Sequence, residues 1–487
     1  MLLMNRQLAT DYINDNFTHH SDVYNVDSMY ISEKMTDGKP TGKLAIVYTV
    51  RDKISINDIS TDNMIPESVN IDGVDVFTDV VEQDIDYQFE GSCHDINDQT
   101  GAQIISRNRR LGTLGGQYDI TRRTGMSCMN LTHSINYKNT HSASQMFNGI
   151  KIGTMGCFAV DEQDGKLVIL SNNHVLTPDF MSADEQGNNP MNYRDNVIVT
   201  PADDQTISGT YVTPGYMTTQ ERTIVDDVEY KLGEVKRSYP LYRLNNEIDA
   251  AICSTTIDYT NTSTTKMAIK ANLGNSDTRG NSWIPVGMNI DYNMRWATSN
   301  EIDSLAVDQS SMLFKSGWAT GSVGSPGMDS NKDCEMYLSA AAFTGFVSGK
   351  QFKNVIQYKG RLGLDPSSGG DSGSPLCALI DGTWKLIGIH FAGGRDRKTG
   401  EHHALACRID KISQRLKIKW WDGINAYKKS INNFSNTVNP TYATIAGHQR
   451  SPTMVIDGKT YYQVGRTDST QTHTLVDDST THATKID

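Results

Sequence analysis

The run Gly370-Asp371-Ser372-Gly373-Ser374-Pro375 places a serine between glycines. A serine hydroxyl is a weak nucleophile at neutral pH. It needs a base to take its proton, an acid to orient that base, and N–H donors for the oxyanion that develops. Glycines on both sides of Ser372 let the backbone turn sharply, so the amides of Gly370 and Ser372 can converge as an oxyanion hole. Most of the 12 histidines stand in polar surroundings, but His174 follows the apolar run Leu-Val-Ile-Leu and the link Ser-Asn-Asn, at the buried end of a hairpin. A lone histidine in such a place is ordinarily a hydrogen-bonded core residue. Asp249 supplies the partner: within "NNEIDAAIC" it stands at the mouth of an apolar strand, where an unpaired carboxylate would be costly.

The order His174, Asp249, Ser372 is that of the chymotrypsin triad and of neither subtilisin nor the α/β-hydrolases, and no G-x-S-x-G surrounds Ser372. Gly370 to Pro375 looks like the nucleophile motif of the chymotrypsin-like (trypsin-fold) serine peptidases. "SNNHVL" takes the place of their histidine motif, and "EIDAAI" resembles their aspartate motif. More narrowly, "GTMGCFAVDEQDGKLVILSNNHVL", "DAAI" and "MIPESVNIDGVDVFTDVVE" resemble the NARROW LEAF 1-like group, intracellular trypsin-fold peptidases of bacteria and plants. The resemblance implies a mainly β fold, a chymotrypsin-like double antiparallel β-barrel. It also implies a serine endopeptidase working through an acyl-enzyme on protein or peptide substrates, without metal or cofactor, as a homo-oligomer. No basic residue with an Ile-Val-Gly-Gly-like start precedes "GIKIGTMG". Asp371, which in zymogen-activated relatives pairs with the freed amino terminus, must therefore find another partner.

In that fold the pocket for the side chain before the scissile bond is walled by Pro366 and Ser367 on one side and by His390, Phe391, Ala392 and Gly393 on the other. No acid stands at its base, which removes the electrostatic reason for a Lys or Arg preference. "IGIHFAGG" resembles the pocket strand of glutamyl-specific bacterial and 3C-type viral enzymes, implying that His390 hydrogen-bonds a Glu or Gln side chain with Ser367 as a second donor. The alternative is a histidine packed under the sheet. Residues from Phe391 to Gly394 are expected to pair with the substrate backbone as an added strand.

The elements that must position these groups are legible in outline. Asp164-Gly165 and Asp381-Gly382 each stand between apolar runs, a hairpin signal, and two such units far apart suggest paired antiparallel barrels over 146–425. Ile409, Ile412, Leu416 and Trp420 read as one face of a closing helix. Residues 1–145 read as an appended α/β module: a helix from Asn5 to Phe17, a strand over 42–50, a short helix in "ISINDISTDNMIP", a strand over 72–82, and then irregular chain. Residues 426–487 form a polar extension with a hairpin in "TMVIDGKTYYQVG" and a flexible end from Arg466.

Other chemistries find less support. A net charge of −12 disfavours nucleic acid as a partner, and the cluster Arg107, Arg109, Arg110, Arg122 and Arg123 reads as a solvated loop. No leader-like or membrane-spanning apolar run is present, so a cytoplasmic protein with no membrane partner is expected. Seven scattered cysteines without a CxxC pair argue for reduced thiols, with Cys157 and Cys377 as small core residues. Glu401-His402-His403 lacks the spacing of a helical metal site and reads as a surface turn. Two rival functions remain: a non-catalytic peptide-binding scaffold of the same fold, and a self-processing viral or particle-associated protease.

Overall fold

The computed structural model describes residues 2–36, 39–55, 57–90, 127–130, 152–177, 197–199, 231–255, 296–305, 313–317, 320–323, 336–360 and 365–421, with five strand segments beyond 443. The arginine cluster, Cys93 and Cys334 lie outside the described residues.

The chain opens with helix α1 (Leu2–Tyr24), then β1 (Ser28–Thr36), β2 (Lys39–Val50), β3 (Ser68–Ile71), β4 (Val74–Glu82) and β5 (Gln88–Phe89). Ala9, Ile13 and Phe17, four apart on one face of α1, pack on Met29, Ile46 and Tyr48 of the strands. Asp72 and Gly73 both take positive φ (49° and 83°), which suits the two-residue turn joining β3 to β4. The short helix expected before it is a single turn, Thr61–Asn63. Strand β1, not expected from the sequence, attaches the module to the rest: Ser28 to Tyr30 pair antiparallel with Gly345 to Phe343.

Next come β6 (Ser127–Asn130), β7 (Ile152–Thr154), β8 (Cys157–Asp161), β9 (Leu167–Ser171), the one-turn helix α2 (Asn173–Leu176), β10 (Val197–Val199), β11 (Lys231–Ser238), β12 (Ala251–Ser254) and helix α3 (Ser299–Asp303). Then follow β13 (Leu313–Gly317), β14 (Gly321–Val323), β15 (Met336–Val347), β16 (Lys350–Gly360), β17 (Pro375–Ile380), β18 (Thr383–Arg395), β19 (His402–Arg408), helix α4 (Ile409–Leu416) and β20 (Ile418–Trp420). Two antiparallel units result, and the fold is mainly β. The first is a sheet in the order β20-β8-β9-β12-β11-β10-β6-β7. In the second, β13, β17, β18, β19, β16 and β15 pair in turn, and Leu313↔Met336 brings β15 back to β13, closing a six-stranded barrel. Closure leaves those strands no free edge within the ring.

Both expected hairpins form, β8 with β9 and β17 with β18, the latter through Asp381 and Gly382 at φ 50° and 73°. The closing helix buries Ile409, Ile412 and Leu416 but ends there, because Lys417 turns left-handed at φ 51°. Trp420 therefore belongs to β20, which pairs with β8, rather than to the helix face. Ser127–Asn130 is a strand where irregular chain was expected. In the C-terminal extension His448–Ile456 pairs with Lys459–Val464 as read, while Thr474–Asp477 and Ala483–Lys485 continue the pairing into the stretch expected to be flexible. Threonine-rich chain favours extended pairing even where little apolar surface is available.

Candidate active site

Antiparallel pairing sets Ala251 of β12 against Ser171 of β9, so the residues just outside each strand, Asp249 and the turn Asn172–His174, meet at one end of the first sheet. Asp249 is fully buried and His174 nearly so. One carboxylate oxygen of Asp249 bonds His174 Nδ1, and the other accepts the His174 backbone N–H at 3.1 Å. Two more contacts fix the acid: Asn172 Nδ2 donates to its carbonyl at 2.7 Å, and its own N–H points to Cys407 Sγ of β19 at 3.1 Å. The other ring nitrogen, His174 Nε2, is buried and among the described residues has no hydrogen-bond partner.

Ser372 stands in the turn that enters β17, flanked by Gly370 at φ 100° and Gly373 at φ 98°. A side chain at 373 would also bring Cβ within 2.0 Å of the Thr154 carbonyl oxygen, so glycine is required there twice over. The turn is tied to both units: Thr154 N–H donates to the Ser372 carbonyl at 2.6 Å, and Gly373 N–H to the His390 carbonyl at 2.8 Å. Gly153 is wedged where they meet, since a Cβ there would lie 2.4 Å from Val175 Cγ2 and 2.7 Å from the Ser372 carbonyl oxygen. The Ser372 hydroxyl donates to the Phe391 carbonyl at 3.2 Å in this state.

Asp371 has found its partner. Lys315 Nζ lies 2.6 Å away, both side chains fully buried, and Thr320 adds its N–H at 3.0 Å and its hydroxyl at 2.6 Å. Burial alone would raise the Asp371 carboxyl, but the Lys315 cation and these hydrogen bonds outweigh it and hold it below the usual carboxylate range. A lysine within the apolar strand "MLFKSG" was the signal for this pair, and the sequence reading passed over it.

Of the expected pocket residues, His390, Phe391, Ala392 and Gly393 lie against a short segment that was not foreseen, ending in Glu90. His390 Nε2 lies 2.7 Å from Glu90 Oε2, and His402 Nε2 lies 3.2 Å from Oε1. His390 Nδ1 is engaged by the Tyr358 hydroxyl at 2.8 Å. With Tyr358 donating to Nδ1, His390 carries its proton on Nε2 and donates it to Glu90. Burial raises and the two histidines lower the Glu90 carboxyl, which ends well below its ordinary range. Burial also lowers the pKa of His390, in keeping with a neutral ring as donor. Gly393 must lack a side chain, because a Cβ would sit 2.1 Å from Glu90 Oε1. Ala392 and Gly393 pair through the backbone with Phe89 and Gln88, and the Phe391 carbonyl accepts from Glu90 N–H at 3.2 Å.

Two expectations need correction. Ser367 is buried and among the described residues its hydroxyl has no hydrogen-bond partner, while His402 makes a second contact to the Glu90 carboxylate. His402 and His403 are not a surface turn. They begin β19, and Arg395↔His402 pairing carries His402 alongside the pocket strand. Pro366 is buried beside Ser367. The five described cysteines are buried and unpaired, and burial pushes the Cys157 thiol up to about 12, far from a working thiolate.

Among the described residues no helix is long and apolar enough to cross a membrane. No protein-family model matches the chain and no curated protein does. The resemblance to the NARROW LEAF 1-like group is thus without support from these comparisons. Solved structures similar to it are serine proteases. Thermobifida fusca protease A is 11% identical over 55% of this chain and 90% of that one, with a TM-score of 0.29. Nocardiopsis protease is 11% identical over 61% and 97%, TM-score 0.28. A glutamic acid specific serine protease that uses a histidine triad in substrate binding is 14% identical over 55% and 94%, TM-score 0.29.

Proposed function

We propose that the protein is a serine endopeptidase that cuts peptide bonds on the carboxyl side of glutamate. The observation that carries this reading is the glutamate carboxylate seated between His390 and His402, in the cleft where His174 presents an unpartnered nitrogen. In the reaction Ser372 Oγ swings from the Phe391 carbonyl toward His174 Nε2, gives up its proton and attacks the substrate carbonyl carbon. Such hydrogen bonds commonly tighten only when substrate is bound. Asp249, on Nδ1, keeps Nε2 free to accept and stabilises the imidazolium that forms. The developing oxyanion takes the Gly370 and Ser372 N–H groups, each donor being worth about 10²–10³ in rate. The C–N bond breaks as His174 protonates the leaving amine. Water then gives its proton to His174, attacks the acyl carbon, and Ser372 leaves with the proton back on its oxygen.

A fluorophosphonate probe on wild type, Ser372→Ala and His174→Ala tests the nucleophile, and cleavage-site mapping on an unfolded protein tests the pocket. Labelling that needs both residues, with cuts concentrated after glutamate, is the expected result. A folded protein that neither labels nor cuts would instead be a peptide-binding scaffold of this fold.

A further inference from the structure

The glutamate in the pocket belongs to the chain itself. Residues leading to it cross the cleft as an added antiparallel strand: Ile85 bridges Asp396, Gln88 pairs with Gly393, and Phe89 pairs with Ala392. Phe89 lays its ring 5.0 Å from that of His174. Glu90 is then held at both ends. Its side chain lies between His390 and His402, and its carbonyl oxygen accepts the Gly370 N–H at 2.5 Å, from the very amide expected to bind an oxyanion. A strand that only plugged the cleft would need neither contact. Together they set the Glu90 carbonyl oxygen on the amide that the proposed mechanism uses for the oxyanion.

Resting on the endopeptidase reading above, we propose that the protein is its own substrate and hydrolyses the peptide bond on the carboxyl side of Glu90. Ser372 Oγ adds to the Glu90 carbonyl carbon while His174 Nε2 takes the hydroxyl proton. The C–N bond to the next residue breaks as that proton passes to the new amine. Water then releases Glu90 as a free carboxylate. The products are residues 1–90 and a chain whose sequence begins Gly91-Ser92-Cys93. The shorter piece stays attached, because β1 remains paired with β15 and Lys398 still joins β18's loop to Asp52 at 2.7 Å. Its new carboxyl terminus lies in the cleft as a bound product, so turnover on other substrates waits for that terminus to withdraw.

Intact-mass spectrometry of the denatured full-length protein, beside native gel filtration, tests this. Wild type is expected to give two chains, cut after Glu90, that co-elute under native conditions. Ser372→Ala should remain one chain, even after incubation with active wild type, because Glu90 is buried within its own molecule. Glu90→Ala changes the occupant and no residue of the pocket, and should also remain one chain. Circular dichroism checks that each variant is folded. A wild type that stays whole yet cuts glutamyl peptides in trans would overturn self-cleavage and leave the endopeptidase standing. A wild type that stays whole and is inert on such peptides would overturn both. Cleavage of Glu90→Ala at the same bond would overturn recognition of Glu90 by the pocket.

Discussion

His174–Asp249 and His390–Glu90 are buried histidine–carboxylate pairs on different β units, and in the endopeptidase reading proposed above their difference separates reaction from recognition. His174 meets Asp249 through Nδ1 and leaves Nε2 without a partner. His390 has both nitrogens engaged, Nδ1 by Tyr358 and Nε2 by Glu90. An idle nitrogen in a buried site can accept a proton, whereas a saturated ring is a fixed donor that orients what it touches. The surroundings follow the same division. His174 rides on a single helical turn at the end of a sheet. His390 lies in the middle of β18, inside a closed barrel, and is held by strands on either side.

The comparison breaks most sharply at the two histidines themselves. His174→Ala should lower kcat on a glutamyl peptide anilide by about 10⁴–10⁶-fold whatever the residue before the cut. His390→Ala should cost about 2–5 kcal/mol of transition-state binding for glutamyl substrates only, the loss expected when a buried charge loses its partner. Steady-state kinetics on glutamyl and alanyl substrates separates the two. Equal loss on both substrates in His390→Ala would mean that His390 is not a recognition residue.

A third buried acid, Asp371, tests the fixed side of the division from the lysine. Lys315→Met leaves that carboxylate without its cation and should destabilise the fold by about 3–5 kcal/mol. The pH dependence has a definite sign. The Asp371 carboxyl titrates lower folded than unfolded, so its stabilising contribution is complete above the unfolded value of about 3.9 and is lost as pH falls toward the folded one. Without Lys315 burial dominates and the shift reverses, so the acid unfolding midpoint moves to higher pH. Urea unfolding of both proteins across mildly to strongly acid pH measures it. An unmoved midpoint would mean that the hydrogen bonds from Thr320 and the Ser368 N–H sustain the charge without the lysine.

Much of the proposed reactive half was legible because its signals are local. Ser372 lies among glycines that only a tight turn explains, and His174 and Asp249 each stand at the end of an apolar strand, where a polar residue needs a reason. The recognition half depends on contacts far apart in the chain. Glu90 is 300 residues from His390, and nothing in "DYQFEGSC" marks its glutamate as an occupant of a pocket. Tyr358 and His402 reach the site only through pairing among β16, β18 and β19, which no single stretch encodes. The same holds for β1, whose partner β15 lies more than 300 residues further along the chain.

Tyr358 offers the smallest and most selective probe of the comparison. Its hydroxyl fixes which nitrogen of His390 carries the proton, at 2.8 Å and out of contact with any reacting atom. Tyr358→Phe keeps the ring and its packing but leaves Nδ1 buried without a donor, a loss of about 1–3 kcal/mol. The cost falls on the tautomer that presents Nε2–H to the substrate carboxylate, an interaction made equally in the ground state and the transition state. It should therefore raise KM for glutamyl substrates and leave kcat nearly unchanged. In effect the variant gives His390 the idle nitrogen that distinguishes His174. If kcat fell while KM held, the hydroxyl would be acting on the chemical step, and the division between a reacting and a recognising histidine would fail.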